Sequence, residues 1–221
     1  LIYGEERCVY MKSIWDFWAN YYNKLWMQKY SLKPSRDKVI DIIKKTKIKN
    51  GDLLDMGCGT GQLLEDIYKE FGKDFDLCGA DYSENMIKQA LRNLKINNIE
   101  AELIHTDVCD IKEKICRKFD VITCTHSLPF YENKEKALSD MADLLKEKGC
   151  IIVVCGLENG FKDRFGCGIF KIMTGAPHYP NLKEYRGFAG DKLKFMGACR
   201  INKALFIPSI VAVVYKKRPV Q

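Results

Sequence analysis

The sequence predicts an α/β fold: a doubly wound, mostly parallel sheet that ends in an antiparallel hairpin. Three observations carry this. Continuous apolar runs such as "DLLDM", "DLCGAD" and "VITCT" alternate with amphipathic segments, as expected for parallel strands buried on both faces by helices. A glycine-rich turn, "MGCGTGQ", joins the first such run to the helical pattern after it. The tail "LKFMGACRINKALFIPSIVAVVYKKR" reads as two strands whose link is too short for a crossover, so that pair should be antiparallel.

Residues 1–34 read as an N-terminal extension with an aromatic cap helix. The stretch "SIWDFWANYYNKLWMQKY" holds all 3 tryptophans, and Trp15, Trp18, Tyr22 and Trp26 recur at helical spacing to form one stripe. The main domain spans 35–221. It opens with a helix over "SRDKVIDIIKKTKIK", for which Ser35 after Pro34 is the expected N-cap. The strand "GDLLDMG" follows, then the helix "GQLLEDIYKEFG" closed by Gly72, the strand "FDLCGAD", and a helix starting on Ser83. Further strands are expected at "AELIHTD", "FDVITCT" and "CIIVVCG", with helices at "DIKEKICRK" and "NKEKALSDMADLLKEKG". Residues 157–190, rich in Gly and aromatics and without clear periodicity, read as an irregular insert and a substrate lid.

Several function classes are set aside by composition. No apolar run approaches the roughly 20 residues of a membrane span, and the N-terminus lacks a signal-peptide core. Met11 is a possible downstream start. The 10 cysteines contain no Cys-x-x-Cys pair and sit mostly in apolar runs, so they read as reduced thiols of a cytoplasmic protein. No metal-ligand cluster is evident, and no metal is expected. The net charge of +7 is uneven. Residues 1–50 and 191–221 carry +6 each and the middle −5, a pattern that suits a solvated Lys-rich surface or an anionic partner.

The strongest chemistry lies in "LLDMGCGTGQLL". Gly57, Gly59 and Gly61 occupy the strand-to-helix turn, where glycine permits tight turning and close approach of a ligand. Asp55 precedes them at the strand end. Asp81 ends the second strand about 20 residues after the last glycine, where a carboxylate meets ribose hydroxyls. Asp107, placed at the end of the third strand, can accept from an adenine amino group. The spacing of the glycines differs from the dinucleotide fingerprint Gly-x-Gly-x-x-Gly, and no Gly-Lys-Ser/Thr follows to make a P-loop.

With these residues the chain resembles the class I S-adenosylmethionine-dependent methyltransferases, closest to the small-molecule branch of ubiquinone and menaquinone biosynthesis. The matching segments, within residues 15–216, are "LLDMGCGTG", "ADYSENMIKQA", "HTDV", "FDVITCTHSLPFY" and "LLKEKGCIIVV". The resemblance implies a Rossmann-like seven-stranded sheet of order 3-2-1-4-5-7-6, strand 7 antiparallel, with helices on both faces. It implies that Asp55 and the Gly57–Gly61 loop cradle the methionine portion of S-adenosylmethionine, with Cys58 packing in the loop. Asp81 would take the ribose, Tyr82 and Met86 would line the adenine, and Asp107 and Val108 would hold its edge. Thr125, at the fourth strand's end, completes the cofactor set.

The expected reaction is direct displacement of the methyl group onto an O, N, S or C nucleophile of a small molecule, leaving S-adenosylhomocysteine. Such a reaction needs alignment and exclusion of water, and a base only where the nucleophile must lose a proton. His126 is the candidate base, and Tyr22 of "ANYYN" the candidate to approach the donor from the cap. Trp18, Trp26, Tyr131, His178 and Tyr185 are candidate substrate contacts, with Phe165, Phe170 and Tyr179 beside them in the insert. "HSLPFY" lacks the Asn/Asp-Pro-Pro-aromatic pattern of base and glutamine amino methylation, so nucleic acid is not the expected acceptor. An RNA methyltransferase using the basic ends is the alternative, and a non-catalytic S-adenosylmethionine binder a further one. The sequence leaves the oligomeric state open.

Overall fold

The computed structural model describes residues 28–201 and 208–219. Trp15, Trp18, Tyr22 and Trp26, and with them the expected cap helix, lie outside the described residues.

A π-helical turn, Gln28–Leu32, leads into α1 (Lys33–Thr46). There follow β1 (Gly51–Met56), α2 (Gln62–Phe71), β2 (Phe75–Asp81), α3 (Glu84–Ile96), β3 (Glu102–His105), α4 (Ile111–Lys114) and β4 (Phe119–Thr125). The chain continues through α5 (Lys134–Asp143), β5 (Leu145–Gly156), α6 (Phe161–Thr174), α7 (Leu182–Gly187), β6 (Leu193–Arg200) and β7 (Ile210–Lys217). All seven strands join one sheet in the order β3-β2-β1-β4-β5-β7-β6, the order the resemblance implied. β1 to β5 are parallel, and β7 runs antiparallel to both β5 and β6.

Neighbouring residues of a strand point to opposite faces, and here both faces are dry. Val121 and Ile152 pack under α1 and α2 with Val39, Ile43, Leu63, Leu64 and Ile67. Their neighbours Ile122 and Ile151 pack with Leu138 and Met141 of α5. That is why the strands read as unbroken apolar runs. The amino edge of the sheet is held differently, by charge. Arg117 bonds Asp52 at 2.6 Å and Glu102 at 2.9 Å, and Lys146 bonds both Asp52 and Asp120 at 2.7 Å.

Several boundaries differ from the sequence reading. Ser35 is not an N-cap: Pro34 sits in the first turn, the cap position falls on Leu32, and the Ser35 hydroxyl donates to the Ser31 carbonyl at 2.7 Å. Leu145–Lys148 belong to β5 rather than to the preceding helix, because Leu145 pairs with Phe119 on β4 and this tertiary pairing overrides helix propensity. β3 stops at His105, two residues short of Asp107. The expected helix over "DIKEKICRK" shrinks to one turn. Residues 157–190 are not irregular, since they hold α6 and α7.

Candidate functional site

The carboxyl ends of β1, β2 and β4 bring the glycine loop and most of the expected acids together. Gly57 and Cys58 both donate backbone N–H groups to the Ala80 carbonyl, at 2.8 and 3.0 Å, which locks the turn against the end of β2. Gly57, Gly59 and Gly61 all take positive φ, at 73°, 53° and 80°. A Cβ at Gly57 would lie 2.7 Å from Ser127 Oγ and closer still to Ser127 Cβ, and one at Gly61 would press on Ala90 of α3. Among the described residues a Cβ at Gly59 would meet nothing within 4 Å. The middle glycine therefore faces open space, on the side where a ligand can reach the backbone.

Asp81 is buried and aimed by two backbone donors. Gly59 N–H gives to one carboxylate oxygen at 2.8 Å and Ser83 N–H to the other at 2.9 Å. Ser83 then caps α3, its hydroxyl accepting from Met86 N–H at 3.2 Å. Thus Asp81, Tyr82 and Met86 are set by one turn, with the Tyr82 carbonyl held by His105 Nε2 at 2.9 Å. Asp107 caps the short 3₁₀ turn Val108–Asp110 through Cys109 N–H at 2.9 Å, and Val108 packs on the core.

Asp55 is 2 % exposed and accepts from Thr123 Oγ1 at 2.7 Å. Burial drives its carboxyl from the ordinary 3.8 up to about 7, against the lowering effect of the Thr123 bond; the charge of Asp81 adds to the rise and that of Arg36 opposes it. His126 follows β4 with φ 60° and donates its own N–H to the Val154 carbonyl at 2.7 Å. Its Nε2 lies 2.8 Å from Ser35 Oγ. The single proton of that hydroxyl is engaged by the Ser31 carbonyl, so Nε2 is the protonated nitrogen and Nδ1 carries the lone pair. Burial, with Arg36 adding to it, lowers the imidazole to about 4, so it is neutral at pH 7.

Arg36 escaped the sequence reading. It lies on α1, donates to Asp66 at 2.7 Å and to Gln28 and Gln62 at 3.0 and 2.9 Å, and its charge acts on both Asp55 and His126. No spacing rule marks an arginine in the helix before β1. Thr123 did leave a signal, as the polar residue inside the apolar run "VITC". Thr125 Oγ1 is a buried side-chain oxygen with no hydrogen-bond partner among the described residues, and it stands at the same sheet edge. Such a group costs free energy until something satisfies it.

The remaining candidates are dispersed. The Tyr131 hydroxyl donates to Ser127 Oγ at 3.2 Å, and burial pushes the phenol well above 10. His178 pairs with Glu184 at 2.8 Å beside the start of α7, at the surface. Tyr185 is fully buried, its ring against Phe188 and its carbonyl taking the Tyr215 hydroxyl. It is a core residue, which corrects its reading as a substrate contact; Tyr179, 8 % exposed, joins it there. Cys58 is buried and its thiol is pushed far up, so it stays protonated and packs. Among the described residues no group of three or more His, Cys, Asp or Glu is placed to hold a metal ion, and no helix is long and apolar enough to cross a membrane.

Two pKa shifts at this site act on stability with opposite sign. Asp55 is raised in the folded chain, so the native state binds more protons and stability falls as pH rises from about 3.8 to about 7. His126 is lowered, so the unfolded chain binds more protons and stability rises from about 4 to about 6.5. Asp55→Asn should remove the first effect and expose the second. The variant should gain on wild type by up to roughly 1.4 kcal/mol per pH unit in that window. Denaturant unfolding at pH 4.5 and 6.5 checks this, and a constant difference between the two proteins would contradict it.

Residues 53–149 match the family model of the methyltransferase domain. A demethylmenaquinone methyltransferase of Lactobacillus johnsonii is 25% identical over 181 residues, 73% of this chain and 69% of that one. The chain spans about half the length of other curated relatives it matches. An S-adenosylmethionine-dependent methyltransferase structure from Clostridium acetobutylicum shares the fold with TM-score 0.69 at 17% identity, covering 90% of this chain and 97% of that one. The plantazolicin methyltransferase BpumL, solved with S-adenosylhomocysteine, shares it with TM-score 0.63 at 19% identity, covering 90% and 89%. The open glycine cradle, the aimed Asp81 and the orphaned Thr125 hydroxyl fit the nucleoside and methionine parts of that cofactor. The matched methyltransferase domain, the strand order and this glycine-and-acid edge together make the chain similar to the class I S-adenosylmethionine-dependent methyltransferases.

Proposed function

We propose that the protein transfers the methyl group of S-adenosylmethionine to a small-molecule nucleophile by direct displacement. The observation that carries this reading is the convergence of the open face at Gly59, the paired-donor Asp81 and the buried Asp55 at one sheet edge. S-adenosylmethionine supplies an already activated methyl group. In this reading Asp81 binds the ribose and the glycine loop admits the methionine portion. Asp55 faces its ammonium, whose charge favours the ionised carboxylate. Arg36 is the nearby cation suited to the carboxylate end of the same ligand. Asp107, Val108, Tyr82 and Met86 line the adenine side.

His126 is proposed as the proton acceptor through Nδ1. A neutral imidazole held down to about 4 is a weak base, so it suits an acceptor whose proton is already acidic or is lost late. The relatives named for quinone and amino-sugar methylation favour a small metabolite. Tyr131 and His178 stay as proposed substrate contacts, and Tyr22, Trp18 and Trp26 as the proposed cover.

The test is a screen of phenols, quinols, amines and thiols that reads release of S-adenosylhomocysteine, with total RNA as a parallel arm at low and high salt. Turnover on RNA that collapses with salt, and none on metabolites, would overturn the small-molecule reading. With an acceptor in hand, His126→Ala should lower kcat by roughly a hundredfold or more while cofactor affinity stays within a few-fold. Unchanged kcat would remove His126 from the chemistry.

A further inference from the structure

Ser35 is fully buried near the start of α1, and its hydroxyl serves two elements at once. It donates to the Ser31 carbonyl at 2.7 Å, the common back-bond of a serine inside a helix. The second partner is unusual. His126 Nε2, 91 residues further along the chain, lies 2.8 Å from the same oxygen. The Ser31 carbonyl can only accept, so it takes the one proton that the hydroxyl has. What Ser35 turns toward the imidazole is therefore a lone pair, which attracts an N–H and repels a bare nitrogen. Among the described residues Ser35 is the one hydrogen-bond partner of this ring.

Both ends of this contact are held in place. His126 follows β4 with φ 60°, a left-handed backbone kept by its own N–H, which bonds the Val154 carbonyl at 2.7 Å. On the other side, the residue after Ser35 pins the turn that carries it. Arg36 Nε donates to Asp66 at 2.7 Å, and Nη1 donates to Gln28 and Gln62 at 3.0 and 2.9 Å. Gln62 is the first residue of α2, directly after Gly61 of the glycine loop. Two consecutive side chains of α1 thus reach the imidazole and the helix that closes the loop, so a shift of α1 would disturb both.

We propose that Ser35 is a positioning residue: its hydroxyl holds His126 in the tautomer with the proton on Nε2, leaving the Nδ1 lone pair for the methyl acceptor. This deepens the function proposed above and, in its catalytic consequence, rests on it. The proton that the acceptor loses goes to Nδ1, its O–H, N–H or S–H bond breaking as the new N–H bond forms. The positive charge given up by the methyl donor then rests on the ring. An imidazolium Nε2–H is a stronger donor than that of the neutral ring, and the Ser35 oxygen already stands where it accepts. The serine orients the ring before the transfer and binds its charge during it.

Nitrogen-15 NMR of the full chain at pH 7 reads the tautomer without any acceptor, so that outcome is separate from the function proposed above. His126 is identified among the 3 histidines by the loss of its signals in His126→Ala. The wild type should show a protonated Nε2 and a bare Nδ1. In Ser35→Ala the two signals should move toward each other, as the ring exchanges between tautomers. With an acceptor in hand, Ser35→Ala should lower kcat about tenfold and leave cofactor affinity within a few-fold. Added to His126→Ala it should cost nothing further, because the serine acts through that ring. A wild-type ring protonated on Nδ1, or nitrogen signals unchanged in Ser35→Ala, would overturn the proposal, as would fully additive losses of kcat in the double variant. An unchanged kcat in His126→Ala would remove the catalytic consequence together with the base role proposed above, even with the tautomer signals as expected.

Discussion

Asp81→Ala should weaken S-adenosylmethionine binding by roughly a hundredfold or more, since two hydrogen bonds to a charged acceptor are lost together. The structure adds a second reason. The same carboxylate receives Gly59 N–H at 2.8 Å and Ser83 N–H at 2.9 Å, so it also fixes the loop and the start of α3. The variant should therefore melt earlier as well. Asp81→Asn keeps one carbonyl oxygen and should fall between the two in stability. Calorimetry with S-adenosylmethionine reads the affinity directly, and an unchanged value would remove Asp81 from the cofactor site.

The second large effect is expected at Gly57. Alanine there must adopt φ near 73° and push its Cβ into Ser127, whose hydroxyl holds the Met56 carbonyl at 2.8 Å. Left-handed backbone and overpacking together should cost about 2–5 kcal/mol of stability. Gly59→Ala is the informative contrast. It also has positive φ, at 53°, but its Cβ would meet nothing among the described residues. It should lose only about 1–2 kcal/mol of stability, yet weaken the cofactor, because the new methyl group fills the space the ligand needs. Denaturant midpoints paired with calorimetry separate the two glycines. Equal stability losses, or a cofactor unaffected by Gly59→Ala, would contradict the division of roles.

The glycine loop was legible because its chemistry is local: the turn needs positive φ, and three glycines in "GCGTG" announce it. The strands were legible because a sheet covered on both faces leaves no polar alternation, as in Val121 and Ile122, which enter opposite cores. Other features depend on distant partners. Leu145–Lys148 look helical by themselves and become strand only because Leu145 finds Phe119. α6 hid because apolar residues on two faces erase a single-sided period, and Gly166 and Gly168 lower its helix propensity further. Arg36 and Ser35 gained their roles from the packing of α1 against the ends of β1 and β4, which no spacing within α1 encodes. Tyr185 sat in an aromatic stretch that looked like a lid and turned out to be core.

The charged clamp of Arg117, Lys146, Asp52, Asp120 and Glu102 sits at one end of the strands, and the glycine turn with Asp81 and His126 sits at the other. β1 is 6 residues long, so these ends are separated by roughly 20 Å. Substitutions that far apart, without shared partners, combine additively. The protein can therefore be redesigned in two registers at once. The amino edge is open to changes that raise or lower tolerance to heat and salt, and the carboxyl edge, on the function proposed above, to changes in ligand and acceptor preference, with neither set of trials rewriting the outcome of the other.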